Sequence, residues 1–117
     1  MSEKQKWTPK ELYDFLNGRY FRNSLPDIRV VWSPTYYEPA RRRHLMGSTW
    51  YDGLTGRPKK ITLNPKYKTA FAVWAPTLIH EMVHVQQWRV PVKQAHGRKF
   101  EKRMKQLAAR GAFSGLW

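Results

Sequence analysis

The feature that most constrains this chain is a pair of histidines four residues apart, His80 and His84, inside an apolar segment from Ala70 to Arg89. Four residues is about one turn of an α-helix, so both imidazoles project from one face and can bind the same metal ion. Glu81 lies about a quarter turn round from His80, beside such an ion but not on it. The pattern predicts a helix with two metal ligands and a carboxylate placed to act as a general base on water.

Zinc suits these ligands because neutral imidazole nitrogen is among those that it prefers. The chain has no cysteine, so a third ligand must be His, Asp or Glu. His96 is the best placed, because a proline-bearing connection separates it from His84 and it begins the next predicted helix. Two alternatives remain open: Glu101 as the third ligand, and a buried, hydrogen-bonded His96 with no metal role or only weak metal binding. His44, beside three arginines, is more typical of a surface or phosphate-contacting residue.

The charge balance points to a polyanionic partner. The 117 residues include 22 Lys and Arg against 8 Asp and Glu, which gives a formal net charge of +14. Such a surface attracts polyanions, so we expect DNA first and an anionic membrane second, with basic residues merely spread for solubility as the alternative. The sequence shows no spanning segment or apolar leader, and the lack of cysteine fits a reducing compartment. We therefore expect one cytoplasmic, DNA-associated domain over residues 1–117, monomeric, with no membrane partner and with flexible ends at 1–7 and 112–117.

The rest of the sequence predicts an α+β fold. Thr8, Pro9 and Glu11 are typical of a helix start, and they predict a helix over 9–22. One face of that helix carries the predicted core residues Leu12, Phe15, Leu16 and Tyr20. Three segments have strand character, namely 28–32, 45–51 and 60–64, and we expect them to form a small antiparallel sheet of about three strands. The stretch 33–44 reads as a loop.

Two helices are predicted in the second half of the chain. The first spans the histidine pair and ends near Trp88, and Pro76 either interrupts it or marks its true first turn. The second runs from about Gly97 to Arg110, and Gly111 is well placed to end it. Its inward side is predicted to carry Phe100, Met104, Leu107 and Ala108.

Basic residues concentrate in two places. The last helix is the likeliest phosphate-binding face, with Arg98, Lys102 and Lys105 on one side and Lys99 and Arg103 on the neighbouring one. Arg41, Arg42 and Arg43 form a second candidate, close in sequence to Trp50 and Tyr51. Because aromatic rings near basic residues can stack unpaired bases, single-stranded or distorted DNA is favoured. The alternatives are a solvated helix face and, for Trp50 and Trp74, core packing.

The string Leu78-Ile79-His80-Glu81-Met82-Val83-His84, followed by His96-Gly97-x-x-Phe100, resembles the SprT-like family of zinc metalloproteases. The likeness extends over roughly residues 8–110 and includes Asn23-Ser24-Leu25-Pro26 and the central Gly47. It implies a small zincin-like fold, one zinc ion held by His80, His84 and His96, and Glu81 as the catalytic base. It also implies proteolysis of proteins bound to or covalently trapped on DNA, in the form of a minimal domain without the cysteine zinc ribbon of many members.

Two other functions fit the same residues. One is a non-catalytic basic DNA-binding module with a structural zinc, which a closed four-ligand site would favour. The other is a metalloprotease of a soluble protein that ignores DNA. For a protease, the group that stabilises the oxyanion is not fixed by the sequence, and His44, Tyr51 and nearby arginines are the candidates.

Overall fold

The computed structural model describes residues 7–33, 37–38, 43–44 and 46–114. Within these ranges the elements follow in the order α1 (Pro9–Tyr20), β1 (Arg29–Trp32), β2 (Tyr37–Glu38), β3 (Arg43–His44), β4 (Gly47–Tyr51), β5 (Pro58–Leu63), α2 (Phe71–Gln86) and α3 (Arg98–Ala109). Single 3-10 turns at Pro65–Tyr67 and Val92–Gln94 precede α2 and α3. The predicted α+β architecture is confirmed. None of the helices in these ranges has the length and apolar character needed to cross a membrane.

Helix α1 starts as its sequence predicts. The Thr8 hydroxyl accepts a hydrogen bond from the Glu11 amide, and the Glu11 carboxylate accepts one from the Thr8 amide, which completes a capping box. The buried face differs from the prediction at two positions: Tyr13 is fully buried, whereas Phe15 is 36% exposed. Phe15 packs instead against the Trp7 ring, with ring centroids 5.2 Å apart, so Trp7, the last residue of the expected flexible end at 1–7, makes a packing contact.

The three-stranded sheet has the order β1-β5-β4. Strands β4 and β5 form the expected antiparallel hairpin, but β1 pairs parallel with β5, so the prediction of a wholly antiparallel sheet is wrong for one of its two pairs. Alternating residues identify a strand without fixing its direction or its neighbour. Here β5, whose side chains Ile61 and Leu63 are buried, is the central strand, and β1 and β4 pair with its two opposite edges. A separate two-residue pair, β2 with β3, lies inside the segment predicted as a loop.

Helix α2 runs unbroken through Pro76, so the prediction that Pro76 interrupts the helix or begins it is wrong. A proline at this position removes one backbone hydrogen bond, but packing outweighs that loss. The first turn is fixed by Trp74, which is buried and makes edge-to-face contacts with Trp32 and Phe71 at centroid distances of 5.2 Å each. The Thr77 hydroxyl also donates a hydrogen bond to the Val73 carbonyl.

Helix α3 ends at the predicted glycine. Gly111 has a positive φ of 86°, and the amides of Gly111 and Ala112 donate to the carbonyls of Ala108 and Leu107 in a Schellman motif. Phe100 and Leu107 are buried as predicted, whereas Ala108 is exposed. The side of α3 that packs against the core is therefore narrower than the predicted inward side. Ala112 is buried, so packing continues beyond the predicted boundary at 111.

One core joins these elements. It lies between the inner face of the sheet and helices α1 and α2, with α3 packed against its edge. Its fully buried members include Leu12, Leu16, Ile61, Leu63, Leu78, Ile79, Met82 and Leu107. Because α2 crosses this core, the two histidines of its H-E-x-x-H pattern are held on a rigid element.

Candidate metal centre

Three histidines converge on one point. The Nε2 atoms of His84 and His80 are 3.2 Å apart, those of His84 and His96 are 3.0 Å apart, and those of His96 and His80 are 3.3 Å apart. Nitrogens bound tetrahedrally to zinc at about 2.0–2.1 Å are separated by about 3.3 Å. The donor set therefore fits a tetrahedral ion such as zinc with three protein ligands. It could hold such an ion without rearrangement.

The positions of His96 and Glu101 bear on the alternatives for the third ligand. His96 is exposed apart from its contacts with the other two rings, so it is not a buried core histidine. Glu101 is exposed on α3 and is not a member of the histidine group. Among the described residues, this trio is the only cluster of His, Asp and Glu found that could hold a metal, and it contains no fourth ligand.

Phe100 forms an apolar wall behind the three rings. Its ring centroid lies 4.9 Å from that of His80, 4.7 Å from that of His84 and 5.1 Å from that of His96. Phe100 is on the first turn of α3, four residues after His96, and Gly97 between them is the N-cap. A Cβ at Gly97 would lie 3.2 Å from the Gln94 carbonyl oxygen, which explains the glycine. One short segment thus supplies both the third imidazole and the surface against which all three pack.

Burial sets the protonation of the imidazoles. Desolvation, followed by the charges of His80 and His96, lowers the pKa of His84 to about 4. Desolvation and the charge of His96 also lower the pKa of His80. Both rings are therefore neutral near pH 7, which is the form that binds metals.

Glu81 is the buried carboxylate of the site. It is 7% exposed, and burial raises its pKa to about 7, although a hydrogen bond from Thr49 works in the opposite direction. The Thr49 hydroxyl lies 2.7 Å from Glu81 Oε1 and donates to it. A hydroxyl on β4 thus fixes the carboxylate that the H-E-x-x-H helix provides.

Thr49 was missed by the sequence analysis. The signal that could have found it is strand alternation, since Gly47, Thr49 and Tyr51 share one face of β4 once the strand is known. That face lies against α2: a Cβ at Gly47 would come within 2.9 Å of Thr77 Cγ2 and 3.3 Å of the Thr62 carbonyl oxygen. A glycine at residue 47 therefore lets β4 approach α2.

A cleft of about 1050 Å³ lies in front of the histidines. Strand β4 and helix α2 line it, and its rim carries three exposed apolar side chains, Met46, Tyr51 and Val73. Burial, and then the charge of Glu81, raises the pKa of the Tyr51 phenol, which places this proposed oxyanion partner in the field of the buried carboxylate. In the three-stranded sheet, β4 is an edge strand, and no other described strand pairs with its outer backbone edge. An edge strand of this kind can pair with an extended peptide.

The residues predicted to contact DNA are described only in part. Arg41 and Arg42 lie outside the described residues, and only the backbone of Arg43 and His44 is described, as β3. On α3, the predicted cations Arg98, Lys99, Lys102 and Lys105 are exposed.

Arg103 has a structural task instead. Its guanidinium donates to the Tyr20 carbonyl oxygen at 2.7 Å and to Gln86 Oε1 at 2.9 Å, and it lies over the Phe21 ring at 4.9 Å. These contacts join α3 to α1 and α2. Arg103, which the sequence predicts as a DNA contact, is therefore half-buried, and its guanidinium already donates two hydrogen bonds within the protein.

Trp74 and Trp50, for which the sequence allows either base stacking or core packing, differ in their burial. Trp74 is a core residue. Trp50 is 36% exposed, donates from its indole N–H to the Thr62 hydroxyl at 2.9 Å, and lies under the Lys60 ammonium at 5.2 Å.

A three-histidine metal centre on an H-E-x-x-H helix, beside an edge strand and a cleft, defines a zincin-like domain of the metalloprotease type. The comparison with family models agrees: the model of the SprT-like family matches residues 9–114, and the chain belongs to that family. No match was found among curated proteins, and none among solved structures.

Proposed function

We propose that this protein is a zinc-dependent endopeptidase that cleaves proteins bound or crosslinked to DNA, and that DNA stimulates it. The observation that carries the protease assignment is the convergence of three Nε2 atoms within 3.0–3.3 Å beside a buried glutamate on the same helix. The family to which the chain belongs supports it.

His80, His84 and His96 would hold the ion. Bound zinc supplies Lewis acidity, which polarises the scissile carbonyl and makes water a better nucleophile. A protein site with three ligands leaves one position for water and substrate, whereas a structural site uses four. The absence of a fourth ligand among the described residues therefore favours catalysis over the structural-zinc alternative.

Glu81 moves the proton. Its carboxylate takes a proton from the attacking water and delivers it to the leaving amine. In the metal-free protein, burial raises the pKa of this carboxyl to about 7, so it accepts a proton more readily than an exposed glutamate does. The Thr49 hydroxyl holds one carboxylate oxygen at 2.7 Å, which limits the rotation of the side chain. An extended substrate segment would pair with the β4 edge and cross the cleft in front of these groups.

DNA is the proposed partner because of charge. A net charge of +14 gives strong, salt-dependent attraction to a polyphosphate. The exposed cations of α3 and the arginines at 41–43 remain candidates for part of that attraction. The proposal implies a monomeric cytoplasmic protein that associates with DNA.

The test is cleavage of a basic DNA-binding protein by the zinc-loaded chain without DNA, with single-stranded DNA and with duplex. We expect cleavage mainly in the presence of DNA, and none by Glu81→Gln under the same conditions. Cleavage that ignores DNA would instead indicate a protease of soluble proteins. If neither form cleaves while both bind zinc and DNA, the non-catalytic module is the better account.

A further inference from the structure

An aromatic and basic cluster lies at the C-terminal end of α2, outside every segment in which the sequence analysis placed DNA contacts. The guanidinium carbon of Arg89 lies 4.5 Å from the ring centroid of Trp88, and that of Arg57 lies 5.6 Å from the same ring. We call Arg57, Trp88 and Arg89 the rim cluster. Trp88 also lines the cleft that contains His80 and His84, so the cluster is at the mouth of the candidate active site.

Arg57 is held in place by a rigid turn. It belongs to the connection between β4 and β5, in which Asp52 Oδ1 accepts hydrogen bonds from the amides of Leu54 and Thr55 at 2.8 and 2.9 Å. The Asp52 amide donates to the Arg57 carbonyl oxygen at 2.8 Å. These bonds close the turn, so the approach of Arg57 to Trp88 is part of the hairpin and does not depend on a flexible side chain alone.

The two arginines carry uncompensated charge in the described part of the chain. The ion pairs found there are those of Lys10 with Asp14 and Asp27, and both Arg57 and Arg89 are exposed. A guanidinium that contacts an aromatic ring still directs N–H donors outward, and its fork matches the oxygens of a phosphate. The cluster therefore has donors for an anion and an aromatic surface next to them.

We propose that the rim cluster binds single-stranded nucleic acid, with the two guanidinium groups on phosphates and an unpaired base stacked on the Trp88–arginine surface. Proteins bind single strands through such combinations, whereas a paired base cannot reach an aromatic side chain. This inference rests on the proposed function, in which DNA is the partner, and it names the residues that would bind the DNA. A strand bound there would bring a protein attached to it to the cleft, beside the three histidines.

The rim cluster is a better candidate than the outer face of α3. On α3 the exposed cations Arg98, Lys102 and Lys105 surround a shallow depression lined also by Glu101, Gln106 and Ala109, with no aromatic ring. That face can attract phosphates but cannot stack a base. A bilayer is also less suitable, because Leu54, at 98% exposure, is the one apolar side chain among the described residues that is almost fully exposed, and it offers little area for insertion.

The experiment measures binding of a fluorescent single-stranded oligonucleotide to the full zinc-loaded chain by anisotropy, over a salt series. The test variant is Arg57→Gln with Arg89→Gln. The matched control is Lys66→Gln with Lys68→Gln. It also removes two exposed charges and one cation–ring contact, that of Lys66 over Tyr67 at 5.8 Å. These two lysines precede the N-terminal end of α2, whereas the rim cluster lies at its C-terminal end. Two lost phosphate contacts should weaken binding about 25-fold at 0.1 M salt and make the log–log salt slope shallower by about 1.4. The control should change affinity by no more than about threefold.

A second variant separates stacking from charge. Trp88→Leu keeps both arginines, so the salt slope should remain, while affinity for the single strand falls about tenfold through lost stacking. Affinity for a duplex of the same length should change little. Thermal melting and zinc content of each variant show whether it is folded.

Equal losses of oligonucleotide affinity in the test variant and the control would overturn the proposal. A loss of affinity seen only in an Arg98→Gln, Lys102→Gln variant would also overturn it. Binding to anionic phosphatidylserine vesicles that depends on the rim cluster, without binding to the oligonucleotide, would also overturn it. The proposed protease is tested separately on an unstructured DNA-free substrate. Cleavage without any oligonucleotide binding refutes this inference and the proposed DNA partnership but leaves the protease assignment standing. Rim-dependent binding by a chain that never cleaves refutes the protease assignment and leaves the inference standing.

Discussion

Helix α2 carries two of the three candidate metal ligands, and the third, His96, directly precedes the N-cap of α3, yet the two helices are held in the molecule in different ways. Helix α2 buries eight of its 16 residues and passes through the core. Helix α3 buries two of its 12, Phe100 and Leu107, and exposes most of its charged residues. Besides these two side chains and the partly buried Met104, α3 is joined to its neighbours by polar bonds, from Arg103 to Tyr20 and Gln86 and from Gln87 to the Lys99 carbonyl.

The difference suggests a division of labour. The core fixes His80, Glu81 and His84 before any metal arrives, whereas His96 depends on the docking of α3 at its Phe100 end. Metal binding energy should therefore appear mainly as stability of α3. The four predictions below test this contrast, from the largest expected effect to the smallest.

Metal removal should have the largest effect, and it should be confined to one helix. We expect chelation to speed amide hydrogen exchange in Arg98–Ala109 by at least about 100-fold, because α3 loses its bond through His96. Exchange in the core-facing part of Phe71–Gln86 should change by much less. Hydrogen exchange with mass spectrometry on the zinc-loaded and metal-free chain measures both. Equal changes in the two helices would contradict the contrast.

Phe100→Ala should damage both stability and metal binding. Loss of a buried phenylalanine costs about 3–5 kcal/mol, and here the ring also supports all three imidazoles. Chemical unfolding and a competitive zinc titration are the measurements. Leu107→Ala is the matched control, since it removes a buried side chain from the same helix away from the histidines; it should lower stability but leave intrinsic zinc affinity within about tenfold. Similar zinc affinities for the two variants would refute a special role for Phe100.

Glu81→Gln should change the pH dependence of the metal-free protein. Burial raises the folded-state pKa of Glu81 from 4.5 to about 7. Below about pH 4.5 the side chain is protonated in both the folded and the unfolded wild type, so its burial does not reduce stability. As the pH rises from 4.5 to about 7, only the unfolded state loses the proton, and the wild type loses stability. The glutamine variant lacks this loss. Its unfolding free energy relative to wild type should therefore increase by about 3 kcal/mol between pH 4 and pH 8.

Denaturant titrations at several pH values check this third prediction. The lowered pKa values of His80 and His84 act in the opposite direction, because their neutral folded forms lose stability as pH falls, but they are common to both proteins and cancel in the difference. A pH-independent difference would show that Glu81 is less buried than the structure has it.

Arg103→Gln should have the smallest effect of the four, about 1–2 kcal/mol, because it removes the donor to a backbone carbonyl and a contact with Phe21. Arg98→Gln removes an exposed charge from the same helix and should change stability by less than about 0.5 kcal/mol. Thermal unfolding of the two variants side by side provides the comparison. Equal stabilities would mean that the polar bonds between α3 and the rest of the molecule contribute little.

The parts that could be predicted from sequence were local. The spacing of His80 and His84, the capping box at Thr8 and the glycine at residue 111 each depend on a few neighbouring residues. The third ligand His96 followed from chain reversal and from the exclusion of cysteine. These features carried both the α+β class and the metal centre.

The parts that escaped prediction depend on residues far apart in the chain. Strand alternation cannot tell that β1 lies parallel to β5, and the helix rule for proline cannot weigh the aromatic contacts of Trp74 against one lost hydrogen bond. Likewise, Thr49 reaches Glu81 across 32 residues. Arg57 meets Trp88 only because the β4–β5 turn approaches the end of α2.

The most direct test of the central claim compares the wild type with Glu81→Gln in one experiment that measures bound zinc and peptide-bond hydrolysis in the same samples. In the proposed mechanism three histidines hold the ion and Glu81 moves the proton, so both proteins should contain about one zinc per chain, and the variant should lose at least about 100-fold in rate. A Glu81→Gln protein that retains turnover, or a wild type that binds no zinc, would contradict the account.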